Sequence, residues 1–585
     1  MKLVLSLFLA SGLAGVPAAL GAVEDSPTAP SQLVPDRAAV CLEILKPAPV
    51  VEVLLGPALE ARLKGLPGYE ELVSGPKLRD LRNAAMMLES TLHTNWQTIV
   101  RTVLRQNAAL ALGEGGRHLL VVTGDDPAML RGMHEFALQI ARSEAEKRGQ
   151  SDQVRSVEYG GLTGWTFNGK EAHTVAGNQL LAASDAAVLK AAVDLRSAPA
   201  GGSLANRAEY KAAREAVGSE AVAVLFLDLQ QVRAAPWFNT MLQGQGNNPL
   251  AGLLLAEIPE LLKTARWLAL GAYIERGGMI LRAFSDATTP VSGSAAFAQV
   301  KPGALGLAPN LEVPRQIAAL NVHRDLAGFY AAKDTLFPER TSGLIFFENM
   351  MGIFFSGRNL TDEVLAEMQP QVQLVVARQE YDPSIGIPEP QIPAFALVFD
   401  LRHPDKFGEV VEEAWQKALG LINFTRGQKA EPGLILDRAE YHGCRFTWSK
   451  FSANDIQDRS HLDTRFNFRP SLALAKGHAI LSSTDQLARD LLDALNQPSA
   501  AKNPPKATAH TLVQVGGAEL AGLMRANRMS MVRDDMVKKG KSQQEAEAGI
   551  DIFTALLGWI DQATLTAGRD GRGQMSELRV SFSKP

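Results

Sequence analysis

The ten residues Ala176-Gly177-Asn178-Gln179-Leu180-Leu181-Ala182-Ala183-Ser184-Asp185 return 300 positions on as Lys476-Gly477-His478-Ala479-Ile480-Leu481-Ser482-Ser483-Thr484-Asp485. In both, a Gly-bearing turn leads into a short apolar run, and Ser or Thr with Asp follows where a helix would open. The match extends outward. Val157-Glu158-Tyr159-Gly160-Gly161 and Trp165-Thr166-Phe167 are answered by Ala439-Glu440-Tyr441-His442-Gly443 and Phe446-Thr447-Trp448. Leu33-Val34-Pro35 corresponds to Glu312-Val313-Pro314, and Arg282-Ala283-Phe284-Ser285 to Val580-Ser581-Phe582-Ser583. Four matches kept in one order imply an internal duplication.

The duplication places repeat one over 33–290, a joint bearing Pro, Gly and Ser over 287–311, and repeat two over 312–584. Tyr159 to Asp185 spans 26 positions and Tyr441 to Asp485 spans 44, so repeat two carries an insertion. The polar stretch 452–470 supplies it as a projecting loop, and the Pro-rich stretch 379–393 replaces the compact Glu114-Gly115-Gly116 turn.

Within repeat one, Trp165-Thr166-Phe167 runs into Asn168-Gly169, a strong hairpin signal, then a strand to Ala176 and a third strand through Ala183. Ser184 is the expected N-cap with Asp185 in the first turn, and Val188, Leu189, Ala192 and Val193 share one helical face. Thr484-Asp485 with Leu487, Leu491, Leu492 and Leu495 repeats the device. Two more hairpins are expected, turning at Gly113 to Gly116 and at Gly277-Gly278, with Asp570-Gly571 answering the second. Asp126-Pro127 opens a helix, Pro being harmless at its first position. The predicted fold class is α+β: two tandem similar repeats, each a curved antiparallel sheet of hairpins and a meander covered by helices on one face.

Lys2, the apolar run Leu3 to Val16, Pro17 and the small residues up to Ala22 have the order of a secretory signal peptide, 1–22, cleaved near residues 21–22. The expected location is therefore periplasmic or extracellular, with an uncleaved anchor as the alternative. Charge is nearly balanced, 59 Lys+Arg against 63 Asp+Glu, which supplies no electrostatic reason to bind nucleic acid. Cys41 and Cys444, the only cysteines, fall in expected strands and read as two separately buried thiols rather than a bridge.

The Leu-x-Pro opening, Tyr159-Gly160, the signature Gly177 to Asp185 and the helix after it together resemble a widespread group of uncharacterised exported bacterial proteins known only as a domain of unknown function. These are turn and cap residues. The resemblance implies a fold and transfers no catalytic residue.

No Gly-x-Ser-x-Gly elbow, phosphate-binding loop, paired CxxC or His-Glu-x-x-His occurs; His134-Glu135 begins the last but meets Leu138 where the second His belongs. The histidines do not recur between repeats. Asn178 faces His478, Gly160 faces His442, Asp126 faces His403 and His173 faces Ala473, with His478 expected in a turn at positive φ. No catalytic, cofactor-binding or metal-binding residue is assigned, and no cofactor. Tyr159 with Trp165, and Tyr441 with Trp448, are read as core aromatics rather than a binding platform. Arg528 to Glu547 reads as a solvated helix pair broken at Gly540. The apolar run Leu344 to Phe355 reads as a core helix; a protein partner or membrane surface docked through Phe346, Phe347, Met350 and Met351 is the alternative. The functional expectation is an exported, non-enzymatic scaffold or binding component of the cell envelope. An exported hydrolase with a non-local site and a carrier of an apolar ligand are the alternatives.

Overall fold

A computed structural model describes residues 29–584 except 168–169, 199–201, 236–237, 239–248, 256, 287–290, 301–305, 455, 457–458, 460–461, 498–507 and 571–572. The expected signal peptide and the Asn168-Gly169 turn lie outside the described residues. The chain forms two compact units, one from residues up to Phe238 with Ala265–Thr289 and Gly571–Pro585, the other from Asn239–Thr264 with Pro290–Asp570. These units do not coincide with the spans 33–290 and 312–584, because two segments cross over. The fold is α+β with antiparallel sheet, as the hairpin signals require.

Unit one contains β1 (Val40–Ile44), β2 (Asn107–Leu112), β3 (His118–Thr123), β4 (Arg155–Tyr159), β5 (Leu162–Thr166), β6 (Ala172–Ala176), β7 (Gln179–Ala183), β8 (Ala223–Asp228), β9 (Trp267–Glu275) and β10 (Gly278–Ser285). Their order across the sheet is β4-β5-β6-β7-β3-β2-β1-β8-β9-β10, every pair antiparallel. The strand Gly573–Phe582 then pairs along β10. Unit two contains β11 (Gln316–His323), β12 (Met368–Ala377), β13 (Ala394–Leu401), β14 (Leu434–Tyr441), β15 (Cys444–Phe451), β16 (Ser471–Ala475), β17 (His478–Ser482), β18 (Ala509–Gly516) and β19 (Ile560–Asp570). Its order is β14-β15-β16-β17-β13-β12-β11-β18-β19, again antiparallel throughout.

Helices cover both faces of each sheet, not one. In unit one Ala109, Ala111, Leu119 and Val121 pack with Leu189, Ala192 and Val193 of helix Ala186–Ser197. The alternate residues Ala108 and Val122 pack on the other face with Ile99 and Val103 of helix Trp96–Val103 and Leu130 of helix Pro127–Lys147. Unit two repeats the division, with Ala396, Val398 and Ile480 against helix Asp485–Asn496, and Leu401, Leu472 and Ala479 against helix Pro404–Gln428. The signal was present in the unbroken apolar run Leu119-Leu120-Val121-Val122, which suits a strand buried on both sides.

Several local expectations shift by one residue. Asp185, not Ser184, caps helix Ala186–Ser197, its carboxylate accepting from the backbone N–H groups of Ala187 and Val188. Thr484 caps helix Asp485–Asn496. Positive φ falls on Lys476 and Gly477, so His478 is not a turn residue; it opens β17 and meets Asp400 Oδ1 at 2.7 Å. The helix pair at Arg528–Lys539 and Gln543–Gly558 does break at Gly540, which adopts φ 64°.

The described end of the 452–470 insertion, around Asn467, joins the Pro-rich 379–393 stretch. Asn467 is fully buried. Its Oδ1 accepts from Ile392 N–H at 2.9 Å and from the Tyr381 hydroxyl at 2.7 Å, while its Nδ2 donates to the carbonyls of Pro390 at 3.1 Å and Thr464 at 2.9 Å.

Candidate functional site

In unit one the outer strands β4 to β6 and helix Ala186–Ser197 leave a small recess of about 90 Å³ that opens to solvent. Val157 of β4, Leu162 and Gly164 of β5 and Leu189 and Val193 of the helix give it apolar walls. Two features hold the mouth. The Tyr159 hydroxyl donates to Asp194 Oδ1 at 2.9 Å, tying the end of β4 to the helix, and this bond raises the phenol's pKa. The Lys190 ammonium sits 5.0 Å from the centre of the Tyr159 ring, a cation–π approach. Arg155 also lines the recess and pairs with Asp152 at 3.0 Å.

Gly164 makes the space. It stands opposite Val157, two steps from the Tyr159–Leu162 pair at the turn. In unit two the pair Tyr441–Cys444 occupies the corresponding turn, and two steps back Ala439 faces Phe446. The Phe446 side chain is buried, and the Arg489 guanidinium lies 4.8 Å from its ring and 5.2 Å from that of Tyr441. Tyr441 donates to Asp493 Oδ1 at 3.0 Å, the counterpart of the Tyr159–Asp194 bond. A ring thus fills in unit two what a hydrogen atom leaves open in unit one.

Register also corrects two sequence matches. Trp165 opposes Ser156, three before Tyr159, whereas Trp448 opposes Asp437, four before Tyr441, so the two indoles do not occupy corresponding positions. The Trp165 side chain, next to Gly164 on β5 and therefore on the other face, carries Arg142 of helix Pro127–Lys147 at 5.0 Å, so it is not simply core; Trp448 carries Arg469 at 5.3 Å. His173, second in β6, corresponds to Leu472, second in β16, rather than to Ala473.

The failed His-Glu-x-x-His start has an unforeseen partner. His134 Nε2 lies 2.7 Å from His173 Nδ1, and the Phe167 ring stacks on His173 with centres 4.1 Å apart. Burial, with His134 beside it, pushes His173 down to about 3. Among the described residues no three His, Cys, Asp or Glu side chains converge as metal ligands. A second polar cluster is sealed in the unit-one core, where the Tyr210 hydroxyl donates to buried Glu43 and Ser31 N–H donates to the same carboxylate at 3.3 Å. Cys41, two residues before Glu43 on β1, is buried and its thiol pKa is driven up by that burial. Cys444 is only half-buried, so the two thiols do not share the expected burial.

The run Leu344 to Phe355 is helical within Thr341–Phe354 but is not a core helix. Leu344, Met351 and Phe355 lean on the unit-two core, while Phe346 and Ile353 remain 71% and 69% exposed. Phe347 is exposed, and Met350 and Met351 are half-buried. Only one stripe of the helix has a partner. Among the described residues no helix is long and apolar enough to cross a membrane.

No family model matches the chain, and no curated protein does. Among solved structures, crystal forms I and III of TP0453 are each 12% identical with a TM-score of 0.22, covering 46% of this chain and 82% and 83% of theirs.

Proposed function

We propose that the chain is an exported, non-enzymatic binding component of the cell envelope, built by duplication of one α+β unit, and that it holds an apolar ligand beside Gly164. The observation that carries the reading is the recess itself. Its walls are apolar and the polar groups that line it are few, the composition of a site for an apolar group. Export rests on the charged, apolar and small-residue order of residues 1–22, in keeping with the exported group that the turn and cap residues resemble.

The duplication is supported by the order β4-β5-β6-β7-β3-β2-β1-β8-β9, which β14-β15-β16-β17-β13-β12-β11-β18-β19 follows strand for strand. Gly160 and His442, at φ 56° and 52°, occupy like turns, and both Tyr–Asp bonds recur. Native mass spectrometry of protein purified from an envelope fraction tests the whole reading. The expected result is a mature mass beginning near residue 22 with a dissociable apolar molecule; turnover across a panel of hydrolase substrates would overturn it.

A further inference from the structure

We infer that the ligand of the Gly164 recess is a single aliphatic chain ending in an anionic group, a long-chain carboxylate, with the chain against Leu162, Leu189 and Val193 and the head at Lys190. The inference rests on the proposed binding role and adds its chemistry. Two cations and no Asp or Glu line the recess. Asp152 takes up Arg155, and Asp194, one turn on from Lys190, is engaged by the Tyr159 hydroxyl, which leaves Lys190 as the cation for an anionic group. Lys190 is exposed and its ammonium rests on the Tyr159 ring, so it can turn to an anion at the mouth without breaking a salt bridge of its own. An acyl chain leaves water for apolar walls, worth about 0.8 kcal/mol per buried CH₂, while the carboxylate stays where solvent and the Lys190 ammonium reach it.

Unit two supplies the internal contrast. At the corresponding register position of unit two stands buried Phe446, with the Arg489 guanidinium against its ring. A β-carbon added at Gly164 would meet the Val157 carbonyl oxygen at 3.5 Å and Leu189 Cδ2 at 3.7 Å, ordinary contacts, and a phenyl ring there would enter the recess. Gly164→Phe therefore converts the open unit to the filled pattern without backbone strain.

The test uses the full chain with two probes, palmitate and 1-hexadecanol, and their vicinally dibrominated forms as quenchers of tryptophan fluorescence. Palmitate should bind about fivefold more tightly than the alcohol, and Lys190→Glu should erase that preference while the alcohol binds as before. Gly164→Phe should abolish binding of both. Val157→Asp, at an exposed position of the apolar wall, should weaken binding of both probes, which keeps the recess testable even if Gly164→Phe fails to fold. Equal affinities for acid and alcohol, unmoved by Lys190→Glu, would overturn the anionic head and leave the recess reading standing. Undiminished binding to a folded Gly164→Phe variant, undiminished binding to Val157→Asp, or binding of neither probe to the wild-type chain would overturn both.

Discussion

His134 Nε2 and His173 Nδ1 stand 2.7 Å apart, close enough that one imidazole must donate to the other. His173 is only 5% exposed and its Nε2 has no partner, so a second proton would add a buried charge facing another histidine. Burial and then His134 hold the His173 pKa at about 3, and burial, opposed by Glu135, lowers that of His134. Both lie below the value near 6.5 of an unfolded histidine. Between those limits the unfolded chain binds more protons, so the contribution is complete above about pH 6.5 and is lost as pH falls toward 3. Each histidine steepens the acid limb by up to about 1.4 kcal/mol per pH unit. His173→Phe should flatten the loss of urea midpoint between pH 6.5 and 4.5, and an unchanged limb would clear the pair of responsibility.

Asn467→Ala should destabilise unit two by about 2–5 kcal/mol, since it strands Ile392 N–H, the Tyr381 hydroxyl and the Pro390 carbonyl at a fully buried site. Tyr381→Phe removes one of these bonds and should cost about 1 kcal/mol. Chemical denaturation measures both, and equal effects would contradict a shared network.

Arg324 is buried to 2% exposure, and its guanidinium donates to the carbonyls of Leu253 at 2.6 Å and Leu254 at 3.1 Å, late in helix Pro249–Leu255, and to His510 at 3.0 Å. Arg324→Met should lower unit-two stability by about 3–5 kcal/mol, since several helix-end and strand carbonyls lose their donor together. Lysine keeps the charge without the planar fork, so Arg324→Lys should recover only part of the loss. A variant as stable as wild type would show that the helix needs no such anchor.

Phe346→Asp should leave the fold intact, with a stability change within about 0.5 kcal/mol, because the side chain is mostly exposed. Thermal melting decides it. A loss of several kcal/mol would mean that Phe346 is covered in the folded protein.

The hairpins were legible because their signals are local: Gly277-Gly278 set the β9–β10 turn, and the β2–β3 turn has Gly115 and Gly116 at positive φ. One cap was misplaced by a residue because Ser184 and Asp185 both suit the role and only backbone direction chooses between them, whereas Thr484 caps its helix as expected. Two-sided burial was missed by reading hairpins as half-solvated sheet, although Leu119 to Val122 carried the contrary pattern. The recess was out of reach. A lone Gly164 in a strand says little until its register against Val157 can be set beside Ala439 and Phe446. The His134–His173 contact joins a helix to a strand 39 positions away, and neither residue carries a spacing that announces the other.

The strand Gly573–Phe582 completes unit one by pairing with β10 from Gly278–Ser581 to Phe284–Met575, and Arg282 reaches Glu577 across 295 positions. That separation bears on assembly. A chain emerging N-terminus first must hold β10 with an open hydrogen-bonding edge until almost the whole of unit two has been made, and pairings this remote in sequence form slowly. An open edge is also a template for other chains. A fragment ending at residue 289 should therefore keep β1 to β10 yet self-associate through β10, and a peptide spanning 573–582 supplied in trans should suppress that association.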